Sequence, residues 1–223
     1  MPFTLPASSG AASLTDAATT EAQQKTNLTN LRGFIAEMLG TDSTSRDTAR
    51  SLLGIDPPTL TATVAANALT IALKSPAGAD GSATAPVSLA FRSPTLTSGA
   101  LNVRKVTAAL SLVVPSTATL GTVSATQSRL AVLAIDNSGT VELAVVNIAG
   151  GNDLTETGVV NTTAISGGAA SANVIYSTTS RTGVPYRVLG YVESTQATAG
   201  TWASAPSRSE ERRVGKECLR LCR

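Results

Sequence analysis

The side chains with the most reactive chemistry are concentrated at the end of the chain, in the segment RSEERRVGKECLRLCR at residues 208–223. A basic terminus can bind nucleic acid or an anionic membrane, and two thiols four residues apart, here Cys218 and Cys222, can share a metal ion. Three glutamates interrupt the basic residues, however, and no aromatic residue is interleaved for base stacking. The two thiols are half of the usual zinc ligand set, and the chain contains no histidine. The segment therefore favours neither chemistry.

The first eleven residues of this segment, RSEERRVGKEC at 208–218, resemble the conceptual translation of a common sequencing-library adapter. Sequence of that origin has to be excluded from fold reasoning, so we expect residues 208–223 to be a non-native tail and the natural C-terminus to be missing. Residues 1–207 then carry eleven basic and twelve acidic residues, with no Cys and no His. This balance removes the electrostatic case for a nucleic-acid partner and also the commonest general base and metal ligand. We expect no cofactor and no bound metal.

Two groups of acidic residues remain as candidates for chemistry. Asp153 and Glu156 lie three residues apart in a Gly/Thr-rich segment. Paired carboxylates act as acid and nucleophile in glycosidases, but nothing in the local sequence buries them, which favours solvated loop charges. The stretch 136–139, Asp-Asn-Ser-Gly, followed by Glu142, contains ligand types of a calcium loop. It lacks the alternating Asx ligands and the distant Glu of such loops, so it is better interpreted as a turn.

The remaining candidates are basic and aromatic. Arg104-Lys105 is typical of a solvated strand face rather than of an anion site. Tyr186, Tyr191 and Trp202 belong to a chain with 3% aromatic residues. Aromatic side chains of this kind pack in a core or at a sheet edge, and the alternative is saccharide stacking. No catalytic or ligand-binding residue follows from these patterns, and we predict that the protein is not an enzyme.

The sequence that must position these residues has two textures. Residues 1–18 are small and polar, which predicts a segment that is flexible or ordered by a partner. Residues 19–40 predict a helix, with Thr caps at the start and Gly40 after the end. One interpretation is an amphipathic helix packed on its own chain, and the other is a short parallel coiled coil that sets an oligomer. The expected seam has a 3-4-3 spacing and consists of Leu28, Leu31, Ile35 and Met38.

A second short helical segment follows and ends at Gly54, and Asp56-Pro57-Pro58 then stops helix and starts extended chain. The predicted organisation is a flexible segment at 1–18, a helical attachment or oligomerisation region at 19–56, a truncated β-sandwich domain at 57–207 and the non-native tail at 208–223.

From residue 59 onward the sequence alternates between apolar and polar residues or forms aliphatic runs, with turn residues between them. Leu130 to Ile135 is apolar on both faces, so we expect a central strand that is covered on both sides. Because no helices alternate with the strands, we predict a mainly β protein, with an antiparallel β-sandwich or jelly-roll-like domain preceded by a short helical N-terminal region. The predicted strands cover residues 59–64, 68–74, 86–92, 101–115, 129–135, 140–148, 157–165, 172–177 and 185–194, with a last strand beginning at Gly200 and Trp202.

Two stretches resemble bacteriophage and prophage tail-fibre-like virion proteins. The first is the pattern TLPASS…NLRGFIAEMLGTDS…TARSLLGI, and the second is LTATVAANALTIALKSPAGADGSATAPVSLAFRS with the later VLGYVESTQATAGTWASAP. The resemblance implies a virion structural protein, homotrimeric, made in the host cytoplasm, assembled with other virion proteins and contacting host surface saccharide. It transfers no catalytic residue.

The alternative is a non-enzymatic carbohydrate-binding or capsid-decoration module. An enzyme such as a depolymerase would need two buried carboxylates. No apolar run approaches the ~18 residues of a membrane helix, so we expect no membrane insertion.

Overall fold

The computed structural model describes residues 21–39, 57–93 and 100–211. The chain divides into two compact units, residues 1–55 and residues 56–223. The first contains one described helix, and the second contains all of the described strands. The prediction of a mainly β protein with a helical N-terminal region is confirmed.

Helix α1 spans Glu21–Leu39, within the predicted range of 19–40. Leu28 and Leu31 lie three residues apart on one face and are 56% and 47% exposed. Neither leucine is therefore buried within the helix's own unit. Ile35 and Met38 lie in the same helix, but their side chains are outside the described part. The predicted segment at 1–18 and the second helical segment that ends at Gly54 also lie outside the described residues.

The β unit contains eleven described strands. Most begin and end within two residues of their predicted positions, and the interval predicted as a single strand at 101–115 consists of two strands, because each half pairs with a different neighbour. The strands are β1 Thr59–Ala65, β2 Ala68–Lys74, β3 Val87–Arg92, β4 Leu101–Val106, β5 Leu110–Val114, β6 Gln127–Asn137, β7 Thr140–Asn147, β8 Val159–Ala164, β9 Tyr176–Ser177, β10 Arg181–Thr195 and β11 Arg208–Glu211.

Five of these strands close into a barrel. The order β10-β6-β7-β9-β8 is completed by a pairing of β8 with β10. Every pair is antiparallel except β8 with β9, which is parallel. β10 is long enough to close the ring because its first part pairs with β8 and its remainder with β6. Outside the barrel, β1, β2 and β5 form a three-stranded sheet, and β3 and β4 form a two-stranded sheet.

β6 is buried on both faces, as its sequence predicted. Leu130, Val132 and Ala134 belong to a hydrophobic cluster that they share with β2, β3 and β5. The alternate residues, Ala131, Leu133 and Ile135, belong to a second cluster with residues of β7 and β10, in the barrel interior. All six are 0% exposed. Because its alternate residues belong to two different clusters, β6 joins the two cores. Burying a leucine-sized side chain stabilises the fold by about 1.5–3 kcal/mol.

The β6–β7 hairpin is closed by the predicted turn. Asn137 pairs with Thr140, which leaves Ser138 and Gly139 as the two turn residues. Their φ angles are +51° and +103°, and the backbone of such turns matches the twist of the strands they connect. The carboxylate of Asp136 accepts a hydrogen bond from the Gly139 nitrogen at 2.7 Å. The side chain therefore fixes the turn.

The strand predicted to begin at Gly200 and Trp202 is wrong. Gly200 has a φ of +80° and its carbonyl accepts a hydrogen bond from the Thr117 nitrogen at 2.8 Å, which places it in a turn. Trp202 lies in none of the described strands, and its ring, 0% exposed, is part of the core. The next strand is β11, within the predicted non-native tail; because strands pair through backbone groups, that pairing requires no particular side chains.

Candidate functional site

The two loop carboxylates that could act as an acid pair have separate structural partners. Asp153 Oδ1 accepts a hydrogen bond from the Thr155 nitrogen at 3.0 Å, and bonds from the Thr155 hydroxyl and amide lower the pKa of Asp153. Glu156 Oε1 accepts a bond from the Val188 nitrogen in β10 at 2.7 Å. The Tyr186 hydroxyl donates to the Asp153 carbonyl at 3.2 Å and accepts from the Glu156 nitrogen at 3.0 Å. These contacts connect the loop to the barrel wall.

The acidic residues of the hairpin are neutralised by arginines. Asp136 is 4% exposed, and its Oδ2 lies 2.9 Å from Arg104 Nε. Glu142 accepts two hydrogen bonds from Arg181, at 3.0 Å from Nε and at 2.6 Å from Nη2. The hydrogen bond with Glu142 raises the pKa of Arg181. These contacts support a turn rather than a calcium loop. In the described part of the chain, no three His, Cys, Asp or Glu residues are grouped as metal ligands would be.

Lys105 is exposed, as predicted for a solvated strand face, whereas Arg104 is 31% exposed and is ion-paired with the buried carboxylate of Asp136. Of the three aromatic candidates, Tyr186 is 5% and Trp202 0% exposed. Both are core residues, so neither ring is available for stacking on a saccharide. Tyr191 is half-buried and packs against the barrel interior.

An open groove of about 390 Å³ lies where strands of the barrel begin and end. It is bounded by the loop at 121–126, the start of β6, the junction of β7 with the short 3₁₀ helix Ile148–Gly150, and Glu193 of β10. We call it the Arg129–Glu193 groove. Its volume is within the ~300–1,000 Å³ of small-molecule sites. Polar side chains and exposed aliphatic ones both line it, and they include Thr126, Gln127, Arg129, Glu193, Val123 and Ile148.

The register of β6 and β10 places the two charges of the groove together. Arg129 pairs with Glu193 across the two strands. Both side chains point to the face of the sheet that carries Ala131 and Tyr191 one pleat further in, which is the face of the barrel interior. Arg129 Nε lies 2.8 Å from Glu193 Oε1, and Nη2 contacts the same oxygen. Arg129 remains 51% exposed and Glu193 13%, so solvent reaches the pair from the groove.

The walls of the groove are fixed by polar contacts. The side chain of Asn147, 2% exposed, donates to the Leu120 carbonyl at 3.0 Å and accepts from the Ala149 nitrogen at 3.1 Å. The Ser124 hydroxyl oxygen accepts from the Ala199 nitrogen at 3.0 Å. One buried amide thus supports both the 121–126 loop and the 3₁₀ helix, and the loop is also tied to the segment after β10.

Sequence reasoning assigned no role to this groove. Arg129 lies near the start of β6 and Glu193 near the end of β10. A charged residue at such a position is ordinary, because the strand leaves the core there. Arg129 and Glu193 are 64 residues apart, and the signal that joins them is the pairing of β10 with β6. Neither strand's sequence contains that signal by itself.

No family model, no curated protein and no solved structure matches this chain. Within the described residues, α1 and the other helical turns do not have the length and hydropathy that a membrane span requires.

Proposed function

We propose that this chain is a structural protein of a phage or prophage virion, of the tail-fibre or appendage type. In this proposal the helical segment attaches or oligomerises the chain, and the β unit presents a rigid surface that contacts host glycan. The resemblance of the sequence to tail-fibre-like proteins motivates the proposal. The observation that carries it is the use of acidic residues as structural contacts.

Residues 57–207 contain six acidic residues, and each accepts a described hydrogen bond. Three bind a backbone nitrogen, and four form an ion pair with a basic side chain, Asp136 doing both. An enzyme that uses carboxylates as acid and base needs two of them free to face a substrate. A surface that only presents a binding face needs no free carboxylate, and all of its acidic residues can instead form contacts that stabilise the fold. The six residues are Asp80, Asp136, Glu142, Asp153, Glu156 and Glu193.

Two exposed leucines of α1 support oligomerisation. Leu28 and Leu31 occupy successive positions of the expected seam and are largely exposed in a single chain. Leucines at such positions are stabilised when a neighbouring helix covers them. Fibre proteins are usually homotrimers, and a parallel three-helix contact would bury Leu28 and Leu31, with Ile35 and Met38 continuing the seam.

We further propose that the two smaller sheets pack on the outer face of the barrel strands β6 and β10 as the layers of a sandwich. This arrangement is supported by the hydrophobic cluster that side chains of β2, β3 and β5 share with those of β6 and β10. Two sheets whose inner faces contribute alternate residues to one core are typical of sandwiches and jelly rolls.

Light scattering on residues 1–207 tests the proposal. We expect a trimer, and we expect the double variant Leu28→Asn/Leu31→Asn to dissociate to a monomer while the β unit keeps its circular dichroism spectrum. Asn30→Gln, at an exposed helix position outside the seam, is the matched control and should remain trimeric. A wild-type chain that stays monomeric at high concentration would contradict the fibre proposal.

A monomer would instead favour the second candidate, a carbohydrate-binding or capsid-decoration module. The Arg129–Glu193 groove supports that candidate, because a groove with mixed polar and aliphatic walls suits a binding module and a binding module needs no fibre.

A further inference from the structure

We propose that the Arg129–Glu193 groove is a binding site for one or two units of a neutral saccharide. The inference rests on the proposed function in one respect, namely that the β unit contacts a ligand on another surface. It adds the position of the site, the residues that form it and the charge class of the sugar.

The charge of the groove selects a neutral ligand. Of the residues that line it, Arg129 and Glu193 carry charge, and they neutralise each other through the ion pair. A phosphate, sulfate or carboxylate ligand would have to compete with Glu193 for the guanidinium and would be repelled by the Glu193 carboxylate. A neutral hydroxyl ligand meets no such repulsion.

The hydrogen-bonding groups of the pair are suited to adjacent hydroxyls. Arg129 directs Nε and Nη2 at one oxygen of Glu193, and Nη1 is left with donors of its own. The second carboxylate oxygen, Oε2, has Gln127 Nε2 at 3.5 Å, a distance at which little of its acceptor capacity is used. The pair therefore keeps donors on Arg129 Nη1 and acceptor capacity on Glu193 Oε2, and hydroxyls of a pyranose can accept from the guanidinium and donate to the carboxylate.

Part of the groove lining is aliphatic. Val123 is 63% and Ile148 37% exposed, and Ala149 lies beside Ile148 in the lining. The C–H face of a sugar ring can pack on such side chains while its hydroxyls reach the polar wall. Without a stacked aromatic ring the contact is modest, and we expect a dissociation constant of about 1 mM for a single site. Several sites in one oligomer would raise the effective affinity.

The groove is preformed, which keeps the cost of binding low. Asn147 holds both Leu120, which directly precedes the 121–126 loop, and the 3₁₀ helix. The Ala125 nitrogen donates to the Gln196 carbonyl at 2.7 Å, so the loop has a backbone contact in addition to that of Ser124. Ordering of a loop on binding would otherwise reduce the affinity.

Ligand-observed saturation-transfer NMR on the full chain tests the proposal. The neutral probes are the methyl glycosides of glucose, galactose, mannose and N-acetylglucosamine, and the anionic probes are N-acetylneuraminic acid and methyl phosphate, whose methyl protons are observable. We expect saturable transfer to at least one neutral probe, and none to the anionic probes. Glu193→Gln keeps the shape of the side chain and removes its charge, and we expect it to weaken binding about tenfold. Ile148→Ser removes the aliphatic wall and should also weaken it.

The matched control is Lys74→Gln, which breaks the exposed Lys74–Asp80 ion pair outside the groove and should leave binding unchanged. Thermal unfolding of each variant shows whether it still folds. The proposal is overturned if no neutral probe binds, if methyl phosphate or N-acetylneuraminic acid binds instead, or if the two groove variants bind like wild type. These outcomes are independent of light scattering, since a trimer without sugar binding contradicts this inference alone, and a sugar-binding monomer contradicts the fibre proposal alone.

Discussion

The Glu156 carboxylate accepts a hydrogen bond from the backbone nitrogen of Val188 at 2.7 Å, at the position where β10 shifts its register. This nitrogen lies between the part of β10 that pairs with β8, Arg181–Pro185, and the part that pairs with β11, Gly190–Glu193. The side chain of Glu156 thus supplies a hydrogen-bond acceptor for a β10 nitrogen that lies between the segments paired with β8 and with β11. Glu156 adopts a φ of +62° in this loop, a conformation that costs a side-chain-bearing residue about 1–2 kcal/mol.

Substitutions at Glu156 should separate the hydrogen bond from the backbone strain. Glu156→Ala leaves the Val188 nitrogen without this acceptor, and we expect the free energy of unfolding to fall by about 1–3 kcal/mol. Glu156→Gly loses the same bond but relieves the positive φ, so it should be about 1 kcal/mol more stable than the Ala variant. Glu156→Gln retains an acceptor oxygen and is the control. Urea unfolding measures all three, and an Ala variant as stable as wild type would contradict the role of this bond.

The two faces of β6 should be equally sensitive to truncation. Leu130→Ala creates a cavity in the cluster shared with β2 and β3, and Leu133→Ala creates one in the barrel interior. We expect each to lower the free energy of unfolding by about 2–5 kcal/mol in denaturant titrations. Val113→Ala, at a side chain that is 48% exposed, should cost less than about 0.5 kcal/mol. If either leucine behaves like Val113, that face of the strand is not part of a core.

The fluorescence of Trp202 reports on the hydrophobic cluster that β6 shares with β2, β3 and β5. Trp202 is the single tryptophan of the chain, it is fully buried, and its Nε1 donates to the Ala118 carbonyl at 2.9 Å. We expect a blue-shifted native fluorescence that moves to longer wavelength on unfolding. Trp202→Phe leaves that carbonyl without its donor and removes ring volume, so it should destabilise the β unit by about 2–4 kcal/mol. A native emission like that of tryptophan in water would contradict this placement.

Stability should fall at alkaline pH partly through Tyr186. Burial raises the pKa of its hydroxyl, the Glu156 amide bond lowers it, and the nearby Asp153 and Glu156 charges raise it, with a raised value as the result. The native state therefore retains this proton at a pH where the unfolded chain has lost it. The contribution to stability is complete below the ordinary tyrosine pKa of about 10, and it is lost as the pH rises through the raised native value.

The measurement for Tyr186 is the free energy of unfolding as a function of pH. The Tyr186→Phe variant should start from a lower stability at neutral pH, because it loses both hydroxyl hydrogen bonds, and should show a smaller alkaline decrease. A variant with the same alkaline slope as wild type would show that Tyr186 does not contribute to it.

Local patterns were sufficient to predict most of the elements. The alternation in residues 59–74 predicted β1 and β2, and the two-sided apolar run at 130–135 predicted the central strand, because burial and side-chain period act within one strand. The Asp-Asn-Ser-Gly stretch predicted its turn, since a short side chain can bond its own backbone. The helix at 21–39 followed from capping and periodicity. The seam, the trimer and the non-native nature of the tail remain predictions.

The tertiary structure decided what pairs with what, and with it the candidate site. Closure of the barrel depends on β8 meeting both β9 and β10, and nothing in an eight-residue pattern specifies a partner. Glu156 became a backbone acceptor, and Arg129 met Glu193 across β6 and β10, because a pairing register sets which distant residues face each other. The sequence alone determines which side chains are stabilised by burial, because hydrophobicity is a property of each residue. The packing of the whole chain determines which polar groups lie together at the surface.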